Sequence, residues 1–143
     1  FVLEKNDPMY GKLAFFDAFC IHWKNKDLEW MKDILACAGR IRKSFLDIIS
    51  QNENYIEQPE TIKNSYITFL CYYDKRIRKG VFFIANRSEQ DKVQIDIKTL
   101  IPENIGEKSL ALVYAADETR GKEFLDGVRK CLEPYEFLVG SIQ

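Results

Sequence analysis

Apolar side chains recur at three- and four-residue intervals between Leu28 and Ile49. Met31, Ile34, Leu35, Ala38, Ile41, Phe45, Ile48 and Ile49 fall on one face, with Lys32, Asp33, Arg40, Lys43 and Asp47 on the rest. This spacing predicts an amphipathic helix over 28–49. Asn25 or Asp27 suits its N-cap, and Glu29 places negative charge in its first turn. Gly39 inside it costs ~1 kcal/mol relative to Ala, which a close approach by another backbone would explain.

Ser50 to Asn54 is a polar break, and beyond it the period changes to two. Residues 65–73 and 80–86 are aromatic and β-branched. The polar run Asp74 to Lys79, followed by Gly80, joins them as a hairpin. Val93 to Ile97 alternates cleanly, and 109–114 and 135–139 complete the main strands. Tyr55-Ile56 and 128–132 are weaker candidates. In the last strand Pro134 opens the run, and Tyr135, Phe137 and Val139 share the inward face. Glu136, Leu138 and Gly140 share the other face, so Glu136 is expected to tolerate truncation. Short strands at this spacing predict an antiparallel β-sandwich of Greek-key type: a mainly β fold with one long N-terminal helix.

Residues 1–26 hold no steady period. Asp7-Pro8 and Tyr10-Gly11 read as turns, and an aromatic stretch runs from Leu13 to Trp23. The chain opens on Phe1-Val2-Leu3 without Met. A frayed apolar start, one helix and an all-β remainder read as the last piece of a larger protein.

At 143 residues the chain has the size of one domain. Its 21 basic and 22 acidic residues leave a net charge of −1. That balance gives no concentrated positive field for nucleic acid or an anionic membrane. No apolar run approaches the ~20 residues that cross a bilayer, and Phe1 to Leu3 is too short for a secretory signal. The cysteines Cys20, Cys37, Cys71 and Cys131 are scattered within apolar runs, with no C-x-x-C and only one histidine. No zinc ligand set is present, and neither metal nor cofactor is expected. Free buried thiols in a reducing, cytoplasmic setting are the expectation, with secretion left open by the even count.

Candidate chemistry is sparse. His22, between Ile21 and Trp23, lacks a nucleophile context and reads as a packed or surface residue. Lys75, Arg76, Arg78 and Lys79 could contact phosphate, but hairpin tips are commonly charged because they are solvated. Asp96 alternates with Ile95 and Ile97 and reads as outward-facing. Asp117-Glu118 sits in a polar turn, and Glu133 precedes Pro134 at a strand start. None has an evident partner or apolar pocket to tune its pKa. The 10 Phe, 7 Tyr and 2 Trp lie mostly in strand cores, where packing explains them. The seven glycines are isolated, so no phosphate loop is present.

The segment L-A-F-F-D-A-F-C-I-H-W (Leu13 to Trp23) resembles the P-L-F-D-x-x-x-I-x-W segment of the α-amylase family of glycoside hydrolases, family 13. Ala38-Gly39-Arg40-Ile41-Arg42-Lys43 is similar to that family's L-I-x-L-R-K helix ending. Val81 to Ser88 resembles its x-V-V-x-N-x-S strand end, and Leu132 to Val139 its closing L-x-P-Y-E-x-x-V strand. Ala14 departs from the family's Pro. The order of the four motifs matches across essentially the whole chain.

This resemblance implies that residues 1–50 end a catalytic (β/α)₈ barrel and residues 51–143 form the C-terminal antiparallel β-domain. It implies a non-catalytic domain of an α-glucan-acting hydrolase or transglycosidase, one that covers or stabilises the barrel. The family's catalytic aspartate, glutamate and second aspartate, and its calcium sites, would lie upstream. No G-x-R-x-D or N-H-D motif occurs here, so no catalytic, cofactor or metal residue is carried over. The implied partners are the parent's barrel and an α-glucan, with no nucleic acid and no membrane. The alternative is a β-sandwich module that binds carbohydrate or protein, and the exposure of Tyr72, Tyr73, Tyr114 and Tyr135 would separate the two. Met31, Ile34, Leu35 and Phe45, with Phe15, Phe16, Phe19 and Trp23, exceed the apolar surface one sandwich edge can cover. Association of copies through the helix face, or an exchanged N-terminal segment, is therefore expected.

Overall fold

The computed structural model describes the backbone of residues 28–105 and 109–143, and the side chains of 36, 38–105 and 109–143. The helix α1 runs Leu28–Ile49, the span the apolar spacing predicts. Among the described residues seven strands follow: β1 Tyr55–Ile56, β2 Ile67–Asp74, β3 Lys79–Asn86, β4 Val93–Gln94, β5 Leu110–Ala115, β6 Cys131–Leu132 and β7 Phe137–Ile142. A second helix, α2, spans Glu118–Leu125 between β5 and β6. The described chain is therefore a mixture of helix and antiparallel sheet. Its main sheet has five strands in the order β1-β2-β3-β7-β5, and β4 pairs with β6 in a separate two-stranded ribbon.

The register explains why both faces of the main sheet are apolar. On one face Tyr72, Val81, Phe83, Ala85, Phe137 and Val139 meet Ile41, Ile48 and Ile49 of α1. On the other, Phe69, Cys71, Phe82, Ile84 and Leu138 meet Leu132 of the ribbon, Phe124 and Leu125 of α2, and Ile97 and Leu100 of a 3-10 turn. The sheet is thus a middle layer, and its inner strands read as continuous apolar runs. The boundary drawn at residue 50 falls between α1 and strands with which it shares one core.

Several local expectations need correction. Asp117-Glu118 is not a turn: Asp117 is the N-cap of α2, its carboxylate accepting from the Arg120 N–H at 3.1 Å. The alternating run 93–97 pairs only over Val93–Gln94 and then tightens into a 3-10 turn at Ile97–Thr99. Asp96 caps that turn, accepting from the Lys98 N–H at 3.0 Å, and its other oxygen lies 3.6 Å from Lys130 Nζ. β7 starts at Phe137, so Pro134 and Tyr135 lie in the turn before it. No neighbour lies within 4 Å of a Cβ built at Gly39, so backbone approach does not explain that glycine among the described residues.

Phe45 is half-buried against the α1–sheet core. Met31, Ile34, Leu35, Phe15, Phe16, Phe19 and Trp23 lie outside the described side chains. Gly140 is explained by the ladder: it faces Phe82 on β3, and a Cβ there would overlap the Phe82 ring.

Candidate functional site

The turn before β7 is built by four residues. Glu136 N–H donates to the Glu133 carbonyl at 3.0 Å, with Pro134 second and Tyr135 third at φ +59°. Proline second and positive φ third is the residue pattern of a type II turn, where glycine is the usual third residue. This turn and the start of α2 wall a cleft of about 230 Å³ between residues 116–120 and 133–137. Tyr135 is half-buried there. Its hydroxyl bonds to the Glu89 carboxylate, which holds its pKa above the ordinary tyrosine value, with burial adding to the rise.

Behind the cleft Arg129 is fully engaged. Its Nη1 and Nη2 donate to the two Glu136 oxygens at 2.8 and 2.6 Å. Nη1 also donates to the Cys131 carbonyl at 2.7 Å, and Nε and Nη2 to the Arg120 carbonyl at 3.3 and 3.1 Å. Its guanidinium carbon lies 5.7 Å from the centre of the Phe124 ring. Burial alone would lower the Arg129 pKa, but the hydrogen bonds and charge of Glu136 hold it above the usual arginine value. Glu136 also accepts from the Glu133 N–H at 2.9 Å.

The pair at the cleft surface is looser. Arg120 Nη2 lies 3.4 Å from Glu133 Oε1 and 3.9 Å from Glu136 Oε1, and Lys92 Nζ lies 3.4 Å from the same Glu133 oxygen.

Asn86, fully buried at the end of β3, ties this region to the sheet. Its Nδ2 lies 2.7, 3.1 and 3.1 Å from the carbonyls of Asp91, Leu132 and Glu133, and its Oδ1 accepts from the Ser88 N–H at 3.0 Å. Asn86 N–H donates to the Glu136 carbonyl at 2.9 Å, and Tyr135 N–H to the Ser88 carbonyl at 3.1 Å. A buried amide so surrounded fixes the path of both segments.

The other sequence candidates are dispersed. Lys75, Arg76, Arg78 and Lys79 are exposed at the β2–β3 tip. Among the described residues Arg76 alone of them is ion-paired: Nη2 lies 3.2 Å from Asp74 Oδ2, and the Arg76 hydrogen bonds hold the Asp74 carboxyl below its usual range. Asp96 and Asp117 serve as caps, and of the carboxylates singled out in the sequence Asp117, Glu133 and Glu136 line the cleft. Tyr72, Tyr73 and Tyr114 are buried. Cys71 and Cys131 are free thiols, Cys71 buried and Cys131 half-buried. His22 and Cys20 lie outside the described residues, as does the Cys37 side chain.

Among the described residues no group of three or more His, Cys, Asp or Glu is placed to hold a metal ion, and no helix is long and apolar enough to cross a membrane. Sequence reasoning missed Arg120, Arg129 and Asn86 as organising residues. Asn86-x-Ser88 at a strand end carried a usable signal, since Asn and Ser side chains both bond to nearby backbone. Nothing in the spacing pairs Arg129 with Glu136. Compared with known proteins, the chain matches no family model, no curated protein and no solved structure.

Proposed function

We propose that this chain is the non-catalytic C-terminal part of an α-glucan-acting hydrolase or transglycosidase of the α-amylase family, with residues 51–143 stabilising a catalytic barrel built upstream. The observation that carries this reading is the meeting of residues 81–88 with 132–139. These two segments resemble the family's strand-end and closing-strand motifs, and they share β3–β7 pairing, the Asn86 bridge and the Tyr135–Ser88 backbone bond. The docking of α1 onto the sheet adds support, because a barrel's last helix seated there would bind barrel and β-domain together. In this reading the main sheet and the β4–β6 ribbon, which face each other across the second core, are the two unequal layers of a β-sandwich.

The buried Tyr72, Tyr73 and Tyr114 count against the alternative of a flat sugar-stacking module, which needs several exposed coplanar rings. The coding region upstream of Phe1 tests the proposal. Barrel strands carrying three catalytic carboxylates are expected, and an unrelated domain there would overturn it. The isolated chain should show no turnover of starch or nitrophenyl maltosides, since acid–base and nucleophilic chemistry needs positioned groups.

A further inference from the structure

Asn86-Arg87-Ser88 is the one Asn-x-Ser or Asn-x-Thr triplet in the sequence, the acceptor pattern for N-linked glycosylation. Glycosylated asparagines of this pattern stand at the surface, where a bulky polar glycan meets water. Asn86 instead closes β3 with no exposed surface, and Ser88 is 5% exposed. Both protons of the Asn86 amide are taken up among the carbonyls of Asp91, Leu132 and Glu133, at 2.7, 3.1 and 3.1 Å. The Ser88 hydroxyl is held as well, accepting from the Gln90 and Asp91 N–H groups at 3.3 and 2.9 Å.

Transfer of an oligosaccharide from its lipid pyrophosphate carrier would bond Nδ2 to the first sugar carbon, release the pyrophosphate and remove one Nδ2 proton. An internal hydrogen bond would go with that proton, leaving a buried carbonyl unsatisfied. The glycan would also need a way out past Leu132, itself fully buried. The order of synthesis decides which event comes first. Leu132 and Glu133 follow Asn86 by 46 and 47 residues, and β7, which pairs with β3, comes later still. Ribosomes add about 5–20 residues per second, so Asn86 stays uncovered for roughly 2–9 s. A transferase working on the emerging chain meets an open acceptor, and the native fold cannot close around its product.

We infer that glycosylation of Asn86 and the native fold exclude each other, and that this chain is made and folded in a compartment without N-linked glycosylation. For a glycosylating cell this sets aside the secreted alternative that the even cysteine count leaves open. The free thiols of Cys71 and Cys131 agree with it. The incompatibility holds whatever the activity of the parent protein.

Expression of the full chain in a glycosylating cell tests it, once in the cytoplasm and once behind a cleavable signal peptide. On the secretory route Asn86 should gain an endoglycosidase-sensitive oligosaccharide. That form should be retained, and trypsin should digest it about tenfold faster or more than the cytoplasmic chain. Blocking synthesis of the lipid-linked donor with tunicamycin should restore the resistance of the cytoplasmic chain, with no residue changed. A glycosylated chain that is secreted and as resistant as the cytoplasmic one would overturn the incompatibility. A folded, secreted chain unmodified at Asn86 would show that burial outruns the transferase and would overturn the assignment of compartment. Trypsin sensitivity that persists without the donor would assign the failure to cysteine oxidation instead and overturn the role of Asn86.

Discussion

Arg129 and Glu136 meet side by side, Nη1 and Nη2 facing the two carboxylate oxygens at 2.8 and 2.6 Å, with side chains only 12% and 19% exposed. A bidentate pair at this depth joins the approach to β6 to the turn before β7. Glu136→Ala would strand the Arg129 guanidinium over Phe124 and free the Glu133 N–H. A loss of ~3 kcal/mol is expected, the low end for breaking a buried pair, because both ends keep some water. Replacing both residues with Met and Leu should cost markedly less than Glu136→Ala. Urea melts of the singles and the double decide it, and a near-neutral Glu136→Ala would show that the pair is not structural.

Phe137 opens β7 on the α1 side and is 4% exposed. Its ring lies 5.6 Å from Phe83 and stacks on Tyr114 at 5.5 Å. Phe137→Ala should cost ~3–5 kcal/mol, the range for a truncated core phenylalanine. A urea midpoint that barely moves would show that α1 can settle into the vacated space.

Gly140 sits opposite Phe82, whose ring fills the space a side chain would take. Gly140→Ala should destabilise by ~1–3 kcal/mol, as overpacking of a tight core does. Adding Phe82→Leu should recover part of that loss by removing the obstructing ring. Additive costs in the double variant would mean that the clash lies elsewhere.

Burial raises the Cys71 thiol from the ordinary 9.0 to about 12. The native protein keeps this proton where the unfolded chain has lost it. The contribution is therefore fully present below pH 9.0 and is lost as pH rises towards about 12, so stability should fall with pH across that window. At about pH 8, Cys71 should resist iodoacetamide in the native state and react on unfolding, because the thiolate is the nucleophile. Half-buried Cys131 should react before Cys71. Peptide mapping after timed labelling checks both, and equal native rates would contradict the burial of Cys71.

The sequence by itself determined α1 and the four longer strands, because each carries enough residues for a period to show. The spacing from Leu28 to Ile49 matches the helix end to end. Residues 65–73 and 80–86 locate β2 and β3 to within about two residues. Tertiary structure alone decided the rest. α2 has eight residues and buries only Gly121, Phe124 and Leu125, too few for a helical period to stand out. β4 and β6 are two residues each, specified by the partner they find rather than by their own pattern.

Periodicity marks which side chains share a face but not whether the opposite face is also covered. Hence Tyr135 was expected inside a strand and Glu136 in solvent, whereas the left-handed turn and the Arg129 pairing place them at a cleft. A charge pair seven residues apart across a turn and a two-residue strand exists only once β7 has docked between β3 and β5. The packing that sets it is non-local, and no short window of sequence contains it.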